Sequence, residues 1–151
     1  SFVASPAFVL SFFGGGRSSS RPRAGEPVKF VSKGWGYEKW IVNTDEYSGK
    51  LLFFEEGKRC SWHYHKLKDE TFYLQSGKML LYYGDSDDLN LAKDRILEPG
   101  DKFHIYRGLR HQMVAVEPSE LFEFSTQQIY SQLKVCLFDS KHSFGAYDQF
   151  N

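Results

Sequence analysis

From Val28 onward, short segments rich in apolar residues alternate with turn residues along the chain. Each segment ends at Gly, Pro, Asp or Ser after about three to seven residues, which is the length of a strand. Many short strands separated by such turns are typical of an antiparallel sandwich or barrel, so the pattern predicts an all-β fold. The predicted strands are Lys39–Val42, Lys50–Phe54, Ser61–His65, Glu70–Gln75, Lys78–Tyr83, Arg95–Leu97, Lys102–Tyr106, His111–Val116 and Leu121–Ser125.

Both ends of the chain break this pattern. Residues 1–27 are rich in Gly, Ser and Pro, and residues 129–151 are mostly polar with scattered aromatic residues. We therefore expect a single β domain at residues 28–128, with a tail before it and an extension after it. Within the extension, Tyr130–Phe138 is apolar enough for one more strand. Between the strands, Ser86–Lys93 favours a helical turn or a longer loop.

Composition excludes several classes of function. The chain has 19 basic and 19 acidic residues, so its formal net charge is zero. This balance gives no electrostatic reason to expect binding to nucleic acid or to an anionic membrane. No apolar run approaches the roughly 20 residues that span a bilayer. Aromatic residues make up 17% of the chain, which favours a β-rich protein over a helical bundle.

The first 25 residues bear on localisation. They contain three arginines and six serines but no acidic residue. Arg-rich, Ser-rich and acid-poor composition is typical of an organelle transit peptide. If this segment is instead a tail without a targeting role, we expect the protein in the cytoplasm.

The candidate chemistry is concentrated in residues 57–77. His63 and His65 alternate in a predicted strand, so their side chains share one face. Glu70 begins the next strand, where a hairpin folds it back beside the histidines, and His111 opens a later strand. Three imidazoles and one carboxylate can hold one divalent transition metal (Mn, Zn, Fe, Ni or Co) and leave a position for a substrate.

Two cysteines, Cys60 and Cys136, are too few for a disulfide framework, and we expect reduced thiols. Cys60 lies close to His63 along the chain and is an alternative metal ligand. The set of His and Glu residues is complete without a thiol.

The spacing of these residues resembles the first motif of the cupin superfamily. That motif is Gly, five residues, His-X-His, three or four residues, Glu, six residues and Gly, and residues 57–77 meet every spacing with the four-residue option. The resemblance extends over residues 33–126 and implies an antiparallel jelly-roll barrel, or double-stranded β-helix, with the metal inside. It implies four metal ligands: His63, His65, Glu70 and His111.

The second cupin motif is matched in part. Gly100, Gly108 and His111 stand at its expected positions, whereas Tyr106 replaces Pro and Ala115 replaces Asn. Neither replacement removes a metal ligand, so the expectation of a metal centre is unaffected.

Two features resemble sugar isomerases within the superfamily. Residues 33–37 read Lys-Gly-Trp-Gly-Tyr, which is similar to the start of the cupin part of type II mannose-6-phosphate isomerases, with Gly34 in place of Pro. An aromatic plug at one end of the barrel is the alternative interpretation.

Lys68 completes the pattern His-X-His-X-X-Lys-X-Glu, which resembles D-lyxose isomerases; alternatively it is a solvated lysine. The resemblance implies an aldose–ketose isomerase acting on a sugar or a sugar phosphate.

Such a site suits isomerisation. A metal would polarise the substrate carbonyl and stabilise a cis-enediolate, while a base carries a proton between two carbons. Glu123 is the first candidate base, because it shares a strand face with Leu121 and an inward carboxylate is costly without a task. Lys68 is the second candidate, and an outward Glu123 would be only a surface residue. The predicted substrate-binding residues at the mouth, with arginines suited to phosphate, are His104, Arg107 and Arg110.

Other functions stay open at this point. The same ligands suit an Fe(II)-dependent dioxygenase. A third interpretation is a non-catalytic cupin that binds a sugar or metabolite in association with polysaccharide biosynthesis. Pairing into a homodimer is a further expectation, for which outward aromatic residues such as Trp62 and Tyr64 would offer surface.

Overall fold

The structure, a computed structural model, describes residue 25 and residues 27–129 and 133–136. The predicted targeting segment lies outside the described residues except for residue 25, and so does most of the predicted extension. The part of the chain that is described forms a 3-10 helix, Leu89–Leu91, and eleven strands. These are β1 (Lys29–Lys33), β2 (Gly36–Asn43), β3 (Ser48–Phe54), β4 (His63–His65), β5 (Glu70–Ser76), β6 (Met79–Gly84), β7 (Lys93–Leu97), β8 (Lys102–Ile105), β9 (Arg110–Ala115), β10 (Ser119–Ser125) and β11 (Leu133–Val135).

Two antiparallel sheets make up the barrel. The first has the strand order β1-β2-β3-β10-β5-β8, and the second has the order β11-β4-β9-β6-β7. Strand β10 lies between β3 and β5, and β9 lies between β4 and β6, so strands far apart in sequence are neighbours in space. This arrangement confirms the predicted antiparallel jelly roll. No helix among the described residues is long and apolar enough to cross a membrane.

Alternation along the strands builds the core between the two sheets. In β3, Leu52 and Phe54 are 3% and 0% exposed, whereas Leu51 and Phe53 are only partly buried. This is the period of two that a strand with one buried face requires. The residues that pack together from both sheets include Leu52, Phe54, Phe72, Leu74, Met79, Leu81, Leu97, Ile105, Met113 and Leu121.

The turn between β1 and β2 contributes an aromatic residue to this core. Trp35 is 4% exposed and stacks on Phe54, with ring centroids 4.0 Å apart. Strand β1 itself was not among the predicted strands, because its residues are mostly exposed and show little apolar alternation.

A second, smaller cluster corrects one expectation. Trp62 is 2% exposed and packs with Leu89 and Cys136, and its Nε1 donates a hydrogen bond to the carbonyl oxygen of Asp87 at 2.9 Å. The prediction that Trp62 offers outward surface for a homodimer is therefore wrong, because the 3-10 helix and the segment after β11 cover its ring. Homodimer formation itself stays a prediction.

Gly77 occupies a position where a side chain does not fit. Its φ is +86°, and a Cβ atom placed there would lie 2.3 Å from the carbonyl oxygen of Pro118. Gly100 has a φ of +96° but no described atom within 4 Å of such a Cβ. We expect Gly77→Ala to lower the free energy of unfolding by about 3 kcal/mol and Gly100→Ala by about 1 kcal/mol, since both strain the backbone but only the first also collides. Chemical denaturation measures both, and equal losses would contradict the close approach.

Candidate metal centre

Two neighbouring strands carry the three histidines of the predicted metal site. In β4, His63 and His65 are buried while Tyr64 between them is only partly so. Strand β9 pairs with β4 so that His111 lies opposite His63. Alternation in β4 and the register with β9 therefore bring three imidazoles together. Their candidate ligand atoms all lie within 4.8 Å of one another.

Backbone carbonyl groups orient two of these rings. Nδ1 of His63 donates to the carbonyl oxygen of Ser61 at 2.8 Å, and Nδ1 of His111 donates to that of Leu109 at 3.1 Å. Because a carbonyl oxygen only accepts, Nδ1 carries a proton in both rings, and Nε2 is the ring nitrogen that remains for another partner. Nε2 is therefore the atom available to a metal, and the carbonyls serve as outer partners of the ligands.

Burial keeps two of the imidazoles neutral. It lowers the pKa of His63 well below the usual value, and repulsion from His111 and His65 adds to this effect. Burial also lowers the pKa of His65 to about 4, although the nearby Glu70 carboxylate opposes the shift. Neutral imidazole is the form that binds a metal, so neither residue has to lose a proton near neutral pH.

Glu70 adds a carboxylate from the other sheet. It begins β5 and is 1% exposed, and its Oε1 lies 3.1 Å from Nε2 of His111 and 3.6 Å from Nε2 of His65. Burial alone would raise the pKa of Glu70, but the ammonium of Lys68 and the contact with His111 outweigh burial and lower it well below its usual value. The structure thus brings all four sequence-predicted ligands together.

A divalent metal fits this donor set. Oε1 of Glu70 is buried without a hydrogen-bond partner among the described residues, and Nε2 of His111 lies 3.1 Å from it. A cation bound by both atoms would satisfy the buried carboxylate oxygen. Imidazole nitrogen and carboxylate oxygen are ligands that Mn, Fe, Co, Ni and Zn all accept, so the donors do not select one metal. Both cysteines are free thiols. Burial raises the pKa of Cys60 to about 12, so its thiol stays protonated.

The candidate ligands line a cavity of about 120 Å³ between the two sheets. A space of this size has room for several waters or for a small substrate group. One wall is apolar, which limits the access of water to the ligands. It consists of Trp35, Leu52, Phe54, Phe72 and Met113.

Lys68 and Glu123 face the same cavity. Each is 4% exposed; Glu123 projects inward from β10, and Lys68 lies in the connection before β5. Nζ of Lys68 contacts Oε2 of Glu70 and lies 2.5 Å from Oε1 of Glu123. Burial alone would lower the pKa of Lys68, but the two carboxylates outweigh burial and raise it above the usual value. Lys68 therefore stays charged and links a candidate metal ligand to the candidate base.

A second buried lysine was not found by sequence reasoning. Lys50 is 2% exposed and donates a hydrogen bond to Oε1 of Gln128 at 3.0 Å. Its Nζ lies 3.7 Å from Oε1 of Glu123, 3.8 Å from Oε2 of Glu38 and 4.3 Å from the ring centroid of Trp40. Burial lowers the pKa of Lys50, and the charge of Glu123 partly offsets this.

A signal for Lys50 was present in the sequence. Lys50, Leu52 and Phe54 share one parity in the predicted strand, so a strand that buries the two apolar side chains must also turn the lysine inward.

The three predicted substrate-binding residues lie elsewhere. His104 and Arg107 are exposed, and both approach the carboxylate of Asp69, at 2.9 and 3.8 Å. Arg110 pairs with Asp87 at 2.8 Å. None of the three belongs to the described residues that line the cavity. Their role in binding a substrate stays a prediction.

Comparison with known sequences gives one family. Residues 50–124 match the family model of the cupin domain. This range contains every candidate metal ligand, together with Lys50, Lys68 and Glu123. No curated protein sequence matches the chain significantly.

Several solved structures share the fold at low sequence identity. KdgF from Halomonas sp. is 20% identical, with a TM-score of 0.59, over 68% of this chain and 89% of its own. The capsular polysaccharide assembling protein CapF from Staphylococcus aureus is 14% identical, with a TM-score of 0.63, over 74% of this chain. Oxalate decarboxylase from Bacillus subtilis is 16% identical, with a TM-score of 0.63, over 72% of this chain. The alignments cover only 34% of CapF and 30% of the decarboxylase.

Proposed function

This chain belongs to the cupin superfamily, and from that premise we propose that it is a metal-dependent aldose–ketose isomerase acting on a small sugar or sugar phosphate. One observation carries the proposal. A buried carboxylate, Glu123, shares a cavity with the candidate metal ligands and is paired there with the charged Lys68. A carboxylate in such a place is costly unless it has a partner or a chemical task; its partner is Lys68, and the task that we assign to it is proton transfer.

The metal centre would act on the carbonyl group of the substrate. His63, His65, Glu70 and His111 would hold a divalent ion, which supplies Lewis-acid polarisation of a carbonyl oxygen. The apolar wall of the cavity would keep water from the reacting carbons, which strengthens every charge interaction inside.

Glu123 would be the base of this reaction. Its carboxylate takes the proton from the carbon next to the carbonyl, and the electron pair of the broken C–H bond forms a carbon–carbon double bond while the carbonyl oxygen becomes negative. The base then returns the proton to the former carbonyl carbon. The neighbouring hydroxyl group gives its proton to the negatively charged oxygen and becomes the new carbonyl group, which completes the isomerisation. The balance requires no oxidant, unlike that of a dioxygenase.

Lys68 would keep this base ready. An unpaired carboxylate in a buried cavity takes up a proton, since burial disfavours its charge. The ammonium of Lys68 lies 2.5 Å from Oε1 of Glu123 and places a positive charge beside this carboxylate. The proposal thus makes Glu123 the proton carrier and Lys68 its charged partner.

The solved structures with this fold do not choose between reactions. One carries the name of an assembling protein for capsular polysaccharide, and another that of a decarboxylase. Proteins with the same fold can have different functions, so the function of this chain has to be argued from the residues of its site. Here those residues are a candidate base, Glu123, beside a candidate Lewis-acid site.

The test is an isomerase assay on the full chain loaded in turn with Mn, Fe, Co, Ni and Zn. Aldoses and their phosphates are supplied in D2O, and both ketose and carbon-bound deuterium are measured. We expect Glu123→Gln to lower kcat about a hundredfold or more with its metal content unchanged, because proton transfer is lost but the ligands are not. Glu120→Gln is the matched control, since Glu120 lies on the same strand with the opposite parity and faces away from the cavity.

Two results would contradict the proposal. One is the absence of ketose and of deuterium uptake with every metal and sugar. The other is full activity in Glu123→Gln. Sugar binding without turnover in the wild-type protein would point instead to a non-catalytic binding module.

A further inference from the structure

The charged side chains that line the cavity cancel one another. Among the described residues of the lining, three are ammonium groups and three are carboxylates, so the formal charges of these side chains sum to zero. They also follow one another in alternation, each Nζ within 4.0 Å of a carboxylate oxygen. In the order of these contacts they are Lys33, Glu38, Lys50, Glu123, Lys68 and Glu70.

A divalent metal on the candidate ligands would end this balance. The imidazole ligands are neutral when they bind a metal, so the cavity would hold an excess of two positive charges. Much of the surrounding surface is apolar, and uncompensated charge in such surroundings is unfavourable. A neutral substrate leaves the excess in place, whereas an anionic substrate offsets it.

Lys50 has hydrogen-bonding capacity for such an anion. An ammonium group has three donors, and among the described residues Lys50 makes one hydrogen bond, to the uncharged amide of Gln128. The oxygens of Glu123 and Glu38 lie 3.7 and 3.8 Å away, which is beyond hydrogen-bond distance. These two carboxylates and the ring of Trp40, whose centroid is 4.3 Å from Nζ, therefore attract the charge of Lys50 without accepting a conventional hydrogen bond. Lys50 lines the cavity with capacity for a further acceptor.

We propose that the substrate of this site carries an oxyanion group, a carboxylate or a phosphate, and that the buried Lys50 binds it. This inference rests on the proposed function and gives its substrate class: an anionic rather than a neutral sugar. Lys68 is not expected to bind the oxyanion group, because its ammonium already contacts the carboxylates of Glu70 and Glu123. Arg107 and Arg110 do not line the cavity and are paired with Asp69 and Asp87.

The test measures binding without turnover. Three probes with the same carbon skeleton are titrated calorimetrically into the Mn-loaded full chain at constant ionic strength: glycerol, glycerate and glycerol 3-phosphate. We expect at least one anionic probe to bind about tenfold or more tightly than glycerol, as a charge-assisted hydrogen bond provides. The tighter of the two anions identifies the group as carboxylate or phosphate.

Variants of Lys50 separate its contribution from that of the metal. Lys50→Met should lose about tenfold or more in affinity for the preferred anion, while Lys50→Arg keeps most of it. Lys102→Met is the control, because Lys102 is exposed on β8 outside the cavity lining. Metal content and circular dichroism are measured for each variant. If Lys50→Met does not fold, the comparison of Lys50→Arg with the wild-type protein on the three probes takes its place.

Two outcomes would overturn the proposal. One is equal affinity of the wild-type protein for glycerol and both anions. The other is an anion preference that survives unchanged in Lys50→Met, which would assign the preference to the metal alone. These titrations measure binding and not turnover. They therefore test the role of Lys50 even if the isomerase assay finds no activity.

Discussion

A His111→Ala variant should bind a divalent metal at least about a hundredfold more weakly than the wild-type protein, because it loses one of four ligands from the centre of the site. His111 lies opposite His63 in the paired strands, and its Nε2 is 3.1 Å from the Glu70 carboxylate, so its loss removes the imidazole that lies between the other candidate ligands. Elemental analysis after dialysis against a metal buffer measures the loss. Wild-type protein should retain about one ion per chain under the same conditions.

Thermal unfolding gives an independent measure of the same effect. Metal at a hundred times its dissociation constant should stabilise the wild-type protein by about 2.7 kcal/mol and leave His111→Ala nearly unaffected. His104→Ala is the matched control, since His104 is an exposed histidine outside the cavity lining. Metal retention in His111→Ala equal to that of the control would show that the three histidines and Glu70 are not the metal site.

A Lys68→Met variant should be less stable than the metal-free wild-type protein by about 3–5 kcal/mol. The change leaves the carboxylates of Glu70 and Glu123, 1% and 4% exposed, without the ammonium between them. A bound metal would neutralise Glu70, so the loss should be smaller in the metal-loaded protein. Chemical denaturation of both proteins, each with and without metal, measures these differences.

Lys78→Met is the control for this stability effect. Lys78 also pairs with a carboxylate, Glu98 at 3.4 Å, but both side chains are partly exposed, and such pairs contribute about 0–1 kcal/mol. A loss in Lys68→Met no larger than in Lys78→Met would contradict the buried charge network. If metal does not reduce the loss of stability in Lys68→Met, Glu70 is not a metal ligand.

The parts of the site that sequence predicts are those set by strand parity. Alternation places His63 and His65 on one face, and the same rule turns Glu123 toward the interior beside Leu121. All-β architecture follows from short apolar segments between turn residues. Local periodicity carries this information, so the predicted strands agree closely with β2 to β10.

Contacts between distant strands are what the sequence leaves open. The burial of Trp62 depends on a helical turn and on residue 136, neither of which its own strand reveals. The same holds for the hydrogen bond from Lys50 to Gln128, which joins residues 78 positions apart. His104, Arg107 and Arg110 are close to His111 along the chain but do not line the cavity, because closeness along the chain does not ensure closeness in space.

The interleaving of strands has a consequence for how the chain folds. Strands β3 and β5 do not pair with each other; both pair with β10, which begins 65 residues after β3 ends and 43 residues after β5 ends. Strand β4 likewise lies between β9 and β11. Pairing of this kind requires the closure of long loops before it yields stabilisation, which slows folding. Until β10 arrives, the edges of β3 and β5 are open to pairing with other chains, as in early aggregation. We therefore expect the cavity to assemble late, when almost the entire domain has been synthesised.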